Sequence, residues 1–209
     1  MMQPPLIVVG DGALACVAES IAKRTQAYTR VELRDLAADN ISSVDIAELV
    51  GHNPAACVVF AAIGVQALNY ARFDLWAKFR FAGYRCAKLV DPTAHVDETA
   101  ELEDNCLVDV HTSVGPGSHV GSGTILSSGV RVAGAARVGR FSWVGVNSTI
   151  GADAKIGSHV ILGPGVHILG ASTVGGHCEI AIPGRYENLS DGTFISHLFD
   201  TPARIYSLP

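Results

Sequence analysis

The chain has 209 residues, of which 48 % are hydrophobic and 17 % charged, with a formal net charge of −5. This length suffices for two modest domains with cores of their own. The negative charge and the dispersed basic residues argue against a nucleic-acid partner and against attachment to anionic lipid. No stretch reaches the roughly 18 apolar residues of a membrane span, and residues 1–5 lack the basic start of a signal peptide.

The cysteines indicate the cellular location of the protein. There are five of them, Cys16, Cys57, Cys86, Cys106 and Cys178, and they show no paired spacing. An odd number without pairing is most simply a set of reduced thiols, which is typical of the cytoplasm. The sequence therefore predicts a cytoplasmic protein.

Residues 1–89 alternate between apolar runs and helical patterns. We predict strands at 6–9, 29–33, 56–63 and 87–90, and helices at 13–23, 44–50 and 68–81, with Ser42 and Ser43 capping the second helix. This alternation indicates a small parallel sheet with helices on its faces, an α/β domain of Rossmann-like type.

A glycine loop follows the first predicted strand. Gly10, Gly12 and Ala15 match the G-x-G-x-x-A pattern, in which backbone N–H groups at a helix start can receive a phosphate. The acidic residue expected about 20 positions later is Glu32 or Asp35. The loop is consistent with a sugar nucleotide, with a dinucleotide or with a purely structural turn. A charged Asp11 would repel a phosphate unless it faces outward.

The second half of the chain repeats with a period of six. An aliphatic residue stands at every sixth position from Val90 to Ile180, and a small or modest side chain follows four residues after each. Three hexads make one turn of a triangular coil, with both positions pointing inward. We therefore predict a parallel β-helix over residues 90–182, followed by a loop and tail over 183–209. Most hexapeptide coils serve acyl transfer.

The two parts together resemble the nucleotide-sugar acyltransferases of the sialic-acid O-acetyltransferase and bacillosamine N-acetyltransferase kind. The matching segments are 7–12, 62–64, 89–94, 138–142 and the closing stretch 201–205. The resemblance implies a left-handed coil and a homotrimer. It also implies an acyl-CoA, acetyl-CoA or another, in a groove between neighbouring coils, and a nucleotide sugar on the N-terminal domain.

The same resemblance implies site residues, with no metal expected. Those implied for the nucleotide sugar are Gly10, Asp11, Gly12, Asp35, Gly64 and Ser127. Those implied for the acyl-CoA are Gly145, Ala152, Gly163 and Pro164.

The family's histidine base is missing. Its position is Gly134, its neighbours are Ala133 and Ala135, and Ser127 stands where the family has an asparagine that contacts the sugar. A sugar hydroxyl needs a base to attack a thioester, whereas an amine with a pKa of about 8 is partly neutral near neutral pH. We therefore predict an N-acyltransferase acting on a nucleotide-linked amino sugar. The catalytic residue is left open, with His111 as a weak candidate base.

Other interpretations stay open at this stage. A catalytically degenerate homologue could bind a sugar nucleotide or a pathway partner. A zinc carbonic anhydrase of the gamma type uses the same coil, but its two histidines five positions apart are missing. His159 and His177 lie eighteen residues apart and should stack. They could form a stacked ladder without a ligand, or they could bind a metal or a CoA phosphate.

Overall fold

The N-terminal unit is a four-stranded parallel sheet covered by helices on both faces. In this computed structural model, which describes residues 3–198 and 203–204, its strands are β1 Leu6–Gly10, β2 Val31–Asp35, β3 Val58–Ala62 and β4 Arg85–Cys86. They lie in the order β2-β1-β3-β4. Helix α1, Gly12–Thr25, packs on one face, and α2, Ile46–Val50, and α3, Tyr70–Phe81, pack on the other.

Two details of this unit differ from the sequence-based expectation. The cap of α2 is Asp45, whose Oδ1 accepts hydrogen bonds from the backbone N–H groups of Ala47 (2.8 Å) and Glu48 (3.2 Å). The serines at 42 and 43 do not cap it. The expected fourth strand at 87–90 is also wrong. Strand β4 ends at Cys86, the Ala87 N–H still bonds to Val59 O of β3 (2.8 Å), and the N–H of Leu89 already bonds to Cys106 O of the coil (2.8 Å).

The coil is a left-handed parallel β-helix of about six turns with three flat faces. Face 1 consists of β5 Leu89–Val90, β8 Leu107–Val108, β11 Ile125–Leu126, β14 Trp143–Val144, β17 Ile161–Leu162 and β20 Glu179–Ile180. Face 2 consists of β6 His95–Val96, β9 Ser113–Val114, β12 Arg131–Val132, β15 Thr149–Ile150 and β18 Val166–Ile168. Face 3 consists of β7 Glu101–Leu102, β10 His119–Val120, β13 Arg137–Val138, β16 Lys155–Ile156 and β19 Thr173–Val174.

The hexad register predicted from the sequence is confirmed. Each strand pairs in parallel with the strand eighteen residues later, and the aliphatic and small residues of the hexads form one continuous buried core. Three corners connect the faces: corner 1 joins face 1 to face 2, corner 2 joins face 2 to face 3, and corner 3 returns to face 1. Every sixth residue from Asn105 to His177 lies at a corner with φ between 52° and 69°.

The coil continues past the end of the strict repeat. We expected an irregular loop at 184–191, but this segment contains β21, Gly184–Tyr186, which extends face 2, and Leu189, which bridges to Val174. Strand β22, Thr193–Ile195, then extends face 1. The pairing interval falls from eighteen to fifteen residues on faces 3 and 1, so the six-residue period fails while the ladder persists.

The closing stretch 201–205 is only partly described. Its residues Ala203–Arg204 form β23, which pairs antiparallel with β22, and the remainder lies outside the described residues. Among the helices within 3–198, none has the length and apolar character needed to cross a membrane.

Face 1 of the coil packs against α1. Its outward side chains Leu89, Leu107 and Ile125 are buried with those of α1 in one core. Beside them, Arg24 of α1 forms an ion pair with the fully buried carboxylate of Asp91. Burial alone would raise the pKa of Asp91, but hydrogen bonds from Thr93 and Arg24 outweigh it and hold that pKa below its usual value.

Corner 3 packs against β3 and α3. The side-chain amide of Asn105 donates to Ala61 O (3.1 Å) and accepts from Ala61 N–H (2.8 Å), so it takes the place of a strand partner where β4 has ended. The buried Arg72 of α3 donates to Gly123 O of the coil and to Ile63 O of the sheet, both at 2.8 Å. Burial lowers the pKa of Arg72 to about 9, so its guanidinium stays charged at neutral pH. These contacts fix the sheet edge relative to the coil.

Candidate functional site

The glycine loop forms the turn between β1 and α1. Gly10 is buried with φ +155°, and a Cβ there would lie 2.1 Å from Ala62 O, so only glycine fits against β3. Gly12 has φ +61°, and a Cβ there would meet nothing within 4 Å. Asp11 is the N-cap of α1, but its side chain makes no capping hydrogen bond. The first N–H groups of this 14-residue helix are therefore open to an anion.

The other residues expected to hold the nucleotide lie at the same edge of the sheet. Asp35 ends β2 as the register partner of Gly10, and it is exposed. Gly64 follows the end of β3 by two residues. Glu32, the alternative acid, lies inside β2 and pairs with Arg34 and Arg30. Of the two acids, Asp35 is therefore the one positioned for a ligand at the loop.

A cavity of about 500 Å³ opens beside this edge. It lies between the segment that follows β2, including Ala38 and Ser42, and the segment that follows β3, including Gln66 and Tyr70. Crevices at the carboxyl ends of parallel strands are the usual ligand sites of open α/β sheets. The cavity has room for part of a nucleotide.

The backbone between Gly64 and α3 is strained. Ala67, Leu68 and Asn69 all have positive φ, between 47° and 65°, which is uncommon for residues with side chains. Asn69 is fully buried, and neither atom of its side-chain amide has a hydrogen-bond partner in the described part of the chain. Strain of this kind clusters at ligand sites and switch regions, and here it borders the 500 Å³ cavity.

Ser127 lies at corner 1, next to the start of α1. It lines a second cavity, of about 260 Å³, together with Ala13 and Leu14 of α1 and Trp143 of face 1. The structure thus brings the predicted Ser127 to the residue that directly follows the glycine loop. Gly145 and Gly163 occupy the same register as Ser127 in the next two turns, with Pro164 immediately after.

Gly134 lies at a different corner. At corner 2 its carbonyl accepts a hydrogen bond from Asp153 N–H (3.1 Å), so it stacks beneath Ala152. A Cβ at Gly134 would approach Pro116 O to 3.2 Å, so a side chain would require a small shift there. The residues predicted to bind the acyl-CoA therefore lie at two different corners. Ala152 is at corner 2, and Gly145, Gly163 and Pro164 are at corner 1. One chain alone does not bring them into a single pocket.

His111 does not lie beside Gly134. It is exposed at corner 1, with φ 57°, and its backbone N–H bonds to Thr93 Oγ1 (3.2 Å). It belongs to the same turn as Asp109, a residue that lines the 260 Å³ cavity. His111 therefore remains a candidate only for chemistry at corner 1.

The histidines 159 and 177 form an aromatic ladder at corner 3. Their rings stack with centroids 5.5 Å apart and planes 2° from parallel, and Tyr70 stacks on His159 at 4.0 Å. His159 Nδ1 lies 3.1 Å from Leu68 O, and His177 Nε2 lies 2.9 Å from the Tyr70 hydroxyl. Burial lowers the pKa of His159. Across residues 3–198 and 203–204, no group of three or more His, Cys, Asp or Glu is arranged to hold a metal ion.

Comparison with known proteins supports the coil assignment. Residues 135–170 match the bacterial transferase hexapeptide (six repeats) family. This part of the coil is therefore similar to transferase hexapeptide repeats. No curated protein sequence matches the chain significantly.

Solved structures share the whole architecture of this hexapeptide-repeat protein. PerB from Caulobacter crescentus, solved with CoA and GDP-perosamine, is 22 % identical with a TM-score of 0.80, covering 90 % of this chain and 92 % of PerB. WeeI from Acinetobacter baumannii is 11 % identical with a TM-score of 0.57, covering 96 % and 100 %. The acetyltransferase domain of PglB from Neisseria gonorrhoeae is 15 % identical with a TM-score of 0.51, covering 96 % and 99 %. At these identities the similarity establishes the fold.

Sequence reasoning missed four residues of this region. Arg72 and Asn105 join the sheet edge to the coil, while Asp109 and Trp143 line the cavity beside the glycine loop. One signal for Trp143 was available. The outward positions of face 1 are apolar at intervals of eighteen residues, which indicates a covered face: Leu89, Leu107, Ile125, Trp143 and Ile161.

Proposed function

We propose that this protein is an acyl-CoA-dependent N-acyltransferase that uses acetyl-CoA and acts on a nucleotide-linked amino sugar. The neighbouring structures solved with CoA or acetyl-CoA support this choice of acyl donor. The observation that carries the proposal is the arrangement of the glycine loop. Its open helix N-terminus adjoins, through Ala13, the cavity between α1 and the hexapeptide coil, and the larger cavity lies between the segments that follow β2 and β3. PerB, of the same architecture, was solved with CoA and a nucleotide-linked sugar.

The proposed roles of the residues follow from this arrangement. The N–H groups after Asp11 would bind the diphosphate, and Asp35 would accept a hydrogen bond from the ribose. Gly64 would leave room for the nucleoside. Ser127 would contact the sugar. Because the acyl-CoA residues lie at two corners of one coil, a groove formed by two neighbouring coils would unite them. A homotrimer supplies three such grooves. Separately, the five unpaired cysteines favour action in the cytoplasm.

The chemistry fits a site without a histidine at position 134. The neutral amine nitrogen attacks the thioester carbonyl carbon, and the C–S bond breaks as the tetrahedral intermediate collapses. The nitrogen then loses its proton to water or to the departing thiolate. Under this proposal the rate comes from positioning the two reactants and from N–H groups facing the oxyanion. An amine permits this sequence, whereas a hydroxyl would need a base before attack.

The test is thiol release from acetyl-CoA in the presence of nucleotide-linked sugars. The panel pairs GDP-, UDP- and dTDP-linked amino sugars, GDP-perosamine among them, with their hydroxyl counterparts. We expect release with one amino sugar and none with its hydroxyl counterpart, together with a product that is heavier by one acetyl group. Equal release with the hydroxyl sugar would refute the assignment to N-acylation.

A second candidate function is a catalytically degenerate homologue that binds a sugar nucleotide or a pathway partner. The observation that favours it is corner 2, where Ala133, Gly134 and Ala135 offer no functional side chain. Nucleotide sugars that raise the melting temperature without thiol release for any acyl-CoA would support this alternative. Measurable turnover would exclude it.

A further inference from the structure

The 260 Å³ cavity has two chemically different walls. One wall is apolar and consists of Leu14 and Val17 of α1 together with Ile125 and Trp143 of face 1. The other wall is corner 1, which contributes Asp109, Ser127 and Ser128. The described residues that line the cavity include no lysine, arginine or histidine. The cavity is therefore unsuited to a phosphate and suited to a ligand with one apolar face and several hydrogen-bond donors.

Asp109 has acceptor capacity that the protein does not use. Its Oδ1 accepts from Val110 N–H (2.7 Å) and its Oδ2 accepts from the Ser128 hydroxyl (2.6 Å). A carboxylate has about four acceptor sites, so two remain. No basic side chain of the described residues lies within 4.0 Å of this carboxylate.

The equivalent residue one turn earlier shows what a structural carboxylate looks like in this coil. Asp91 occupies the same register as Asp109. It is fully buried, pairs with Arg24 and accepts from both the N–H and the hydroxyl of Thr93. Asp109 instead is half-buried and faces a cavity. The contrast shows that Asp109, besides its two hydrogen bonds at the corner, keeps acceptor capacity beside the cavity.

The size and the location of the cavity restrict its occupant further. Its volume is below the roughly 300 Å³ at which sites for drug-sized ligands begin, so it holds only part of a nucleotide sugar. It starts at Ala13, the residue after Gly12, so a group attached to a phosphate at the α1 N-terminus lies within reach of it. Trp143, half-exposed, offers an indole ring, and Ser127 offers a hydroxyl that donates no hydrogen bond within the described chain.

We infer that this cavity binds the pyranose ring of the nucleotide-linked sugar, with Asp109 accepting hydrogen bonds from the ring's hydroxyl or neutral amine groups and Trp143 covering its apolar face. Asp109 is then a specificity-determining residue that the resemblance to known acyltransferases did not indicate. The inference rests on the proposed function, because it takes the nucleotide sugar to be the ligand of the glycine loop.

The test compares two ligands on three proteins by titration calorimetry. The first ligand is the GDP-, UDP- or dTDP-linked amino sugar of the panel above that the wild type binds most tightly, and the second is the matching nucleoside diphosphate. The proteins are the wild type, Asp109→Asn and Asp97→Asn. Asp97 is the matched control because it accepts from Thr99 N–H (2.9 Å) and the Thr99 hydroxyl (2.6 Å) at the start of the coil and lines no part of the cavity.

We expect Asp109→Asn to weaken nucleotide-sugar binding by about 10-fold or more, as for loss of a hydrogen bond to a charged group. Its affinity for the nucleoside diphosphate should stay unchanged, and Asp97→Asn should match the wild type for both ligands. Unchanged nucleotide-sugar affinity in Asp109→Asn would overturn the inference while leaving the proposed function intact. A wild type that binds neither ligand would overturn both.

Ser127→Ala provides a second variant in case Asp109→Asn lowers the melting temperature. It removes a hydroxyl from the same wall without touching the two hydrogen bonds that Asp109 makes within the corner. We expect the same selective loss of nucleotide-sugar affinity. Equal weakening of both ligands would place the sugar elsewhere and contradict the inference.

Discussion

At the residue scale, two kinds of position in the coil have different roles: the inward residues pack on one another, and the corner residue Asn105 contacts the sheet. A valine or leucine at every sixth position must be buried, because no other arrangement removes such a series from water. Asn105 at corner 3 and Asn147 at corner 1 occupy the same position of their hexads, and nothing local distinguishes them. Which corner meets β3 depends on how the two domains pack, and that is set by contacts far apart in sequence, such as Asn105 with Ala61.

Asn105 gives the sharpest test of the domain junction. Asn105→Ala leaves the N–H and the C=O of Ala61 buried without partners, and each such group costs roughly 1–3 kcal/mol. We expect the free energy of unfolding to fall by about 2–6 kcal/mol, measured by urea denaturation.

The matched control for this prediction is Asn147→Ala. Asn147 has the same left-handed backbone, with φ 57° against 55°, but it is exposed at corner 1. The cost of placing alanine at positive φ is thus shared by both variants, and the difference between them isolates the two hydrogen bonds. Equal destabilisation by both variants would mean that Asn105 has no special role.

At the scale of elements, strands and helices were mostly predictable, and their ends were not. Periodicity identified β1, β3, α1 and α3 because their apolar runs are long. It misjudged the transition from sheet to coil, where β4 and β5 stand two residues apart and the run 87–90 looks like one strand. It also failed to predict the strands that follow Ile180, where the pairing interval shortens to fifteen residues although the ladder of parallel strands continues.

The contact between α3 and corner 3 predicts a pH-dependent stability. Burial lowers the pKa of His159 in the folded state, so the folded protein favours the neutral ring. Stability is therefore complete above the ordinary histidine pKa of about 6.5 and is lost as the pH falls through the lower folded-state pKa. Between about pH 7.5 and 5, we expect the melting temperature of His159→Asn to fall by less than that of the wild type.

Two comparisons decide that prediction. His95→Asn makes the same change at an exposed histidine on face 2, and it controls for a general effect of removing an imidazole. A wild type and a His159→Asn variant with parallel melting curves over this pH range would show that the ladder is not a source of acid sensitivity.

At the scale of the whole molecule, the sequence predicted the two-part architecture, and the structure places Gly10, Gly12 and Asp35 at one edge of the sheet. That edge follows from topology, since the ends of parallel strands lie together. The cavity at corner 1 was not predictable, because it is formed by α1 and the coil jointly and no local pattern encodes their packing. The acyl-CoA residues stay a prediction, since they lie at two corners of one chain.

The central claim is amine acylation by positioning, without a histidine base. The measurement that tests it most directly is the pH dependence of kcat/KM for the nucleotide-linked amino sugar, in the wild type and in His111→Ala, because this ratio reports the ionisations of free enzyme and free substrate. We predict a rate that rises with the ionisation of the amine alone, near pH 8 for an α-amino-like group, and identical profiles for both proteins. An additional ionisation in the wild-type profile that disappears in His111→Ala would contradict the claim and assign the base to that histidine.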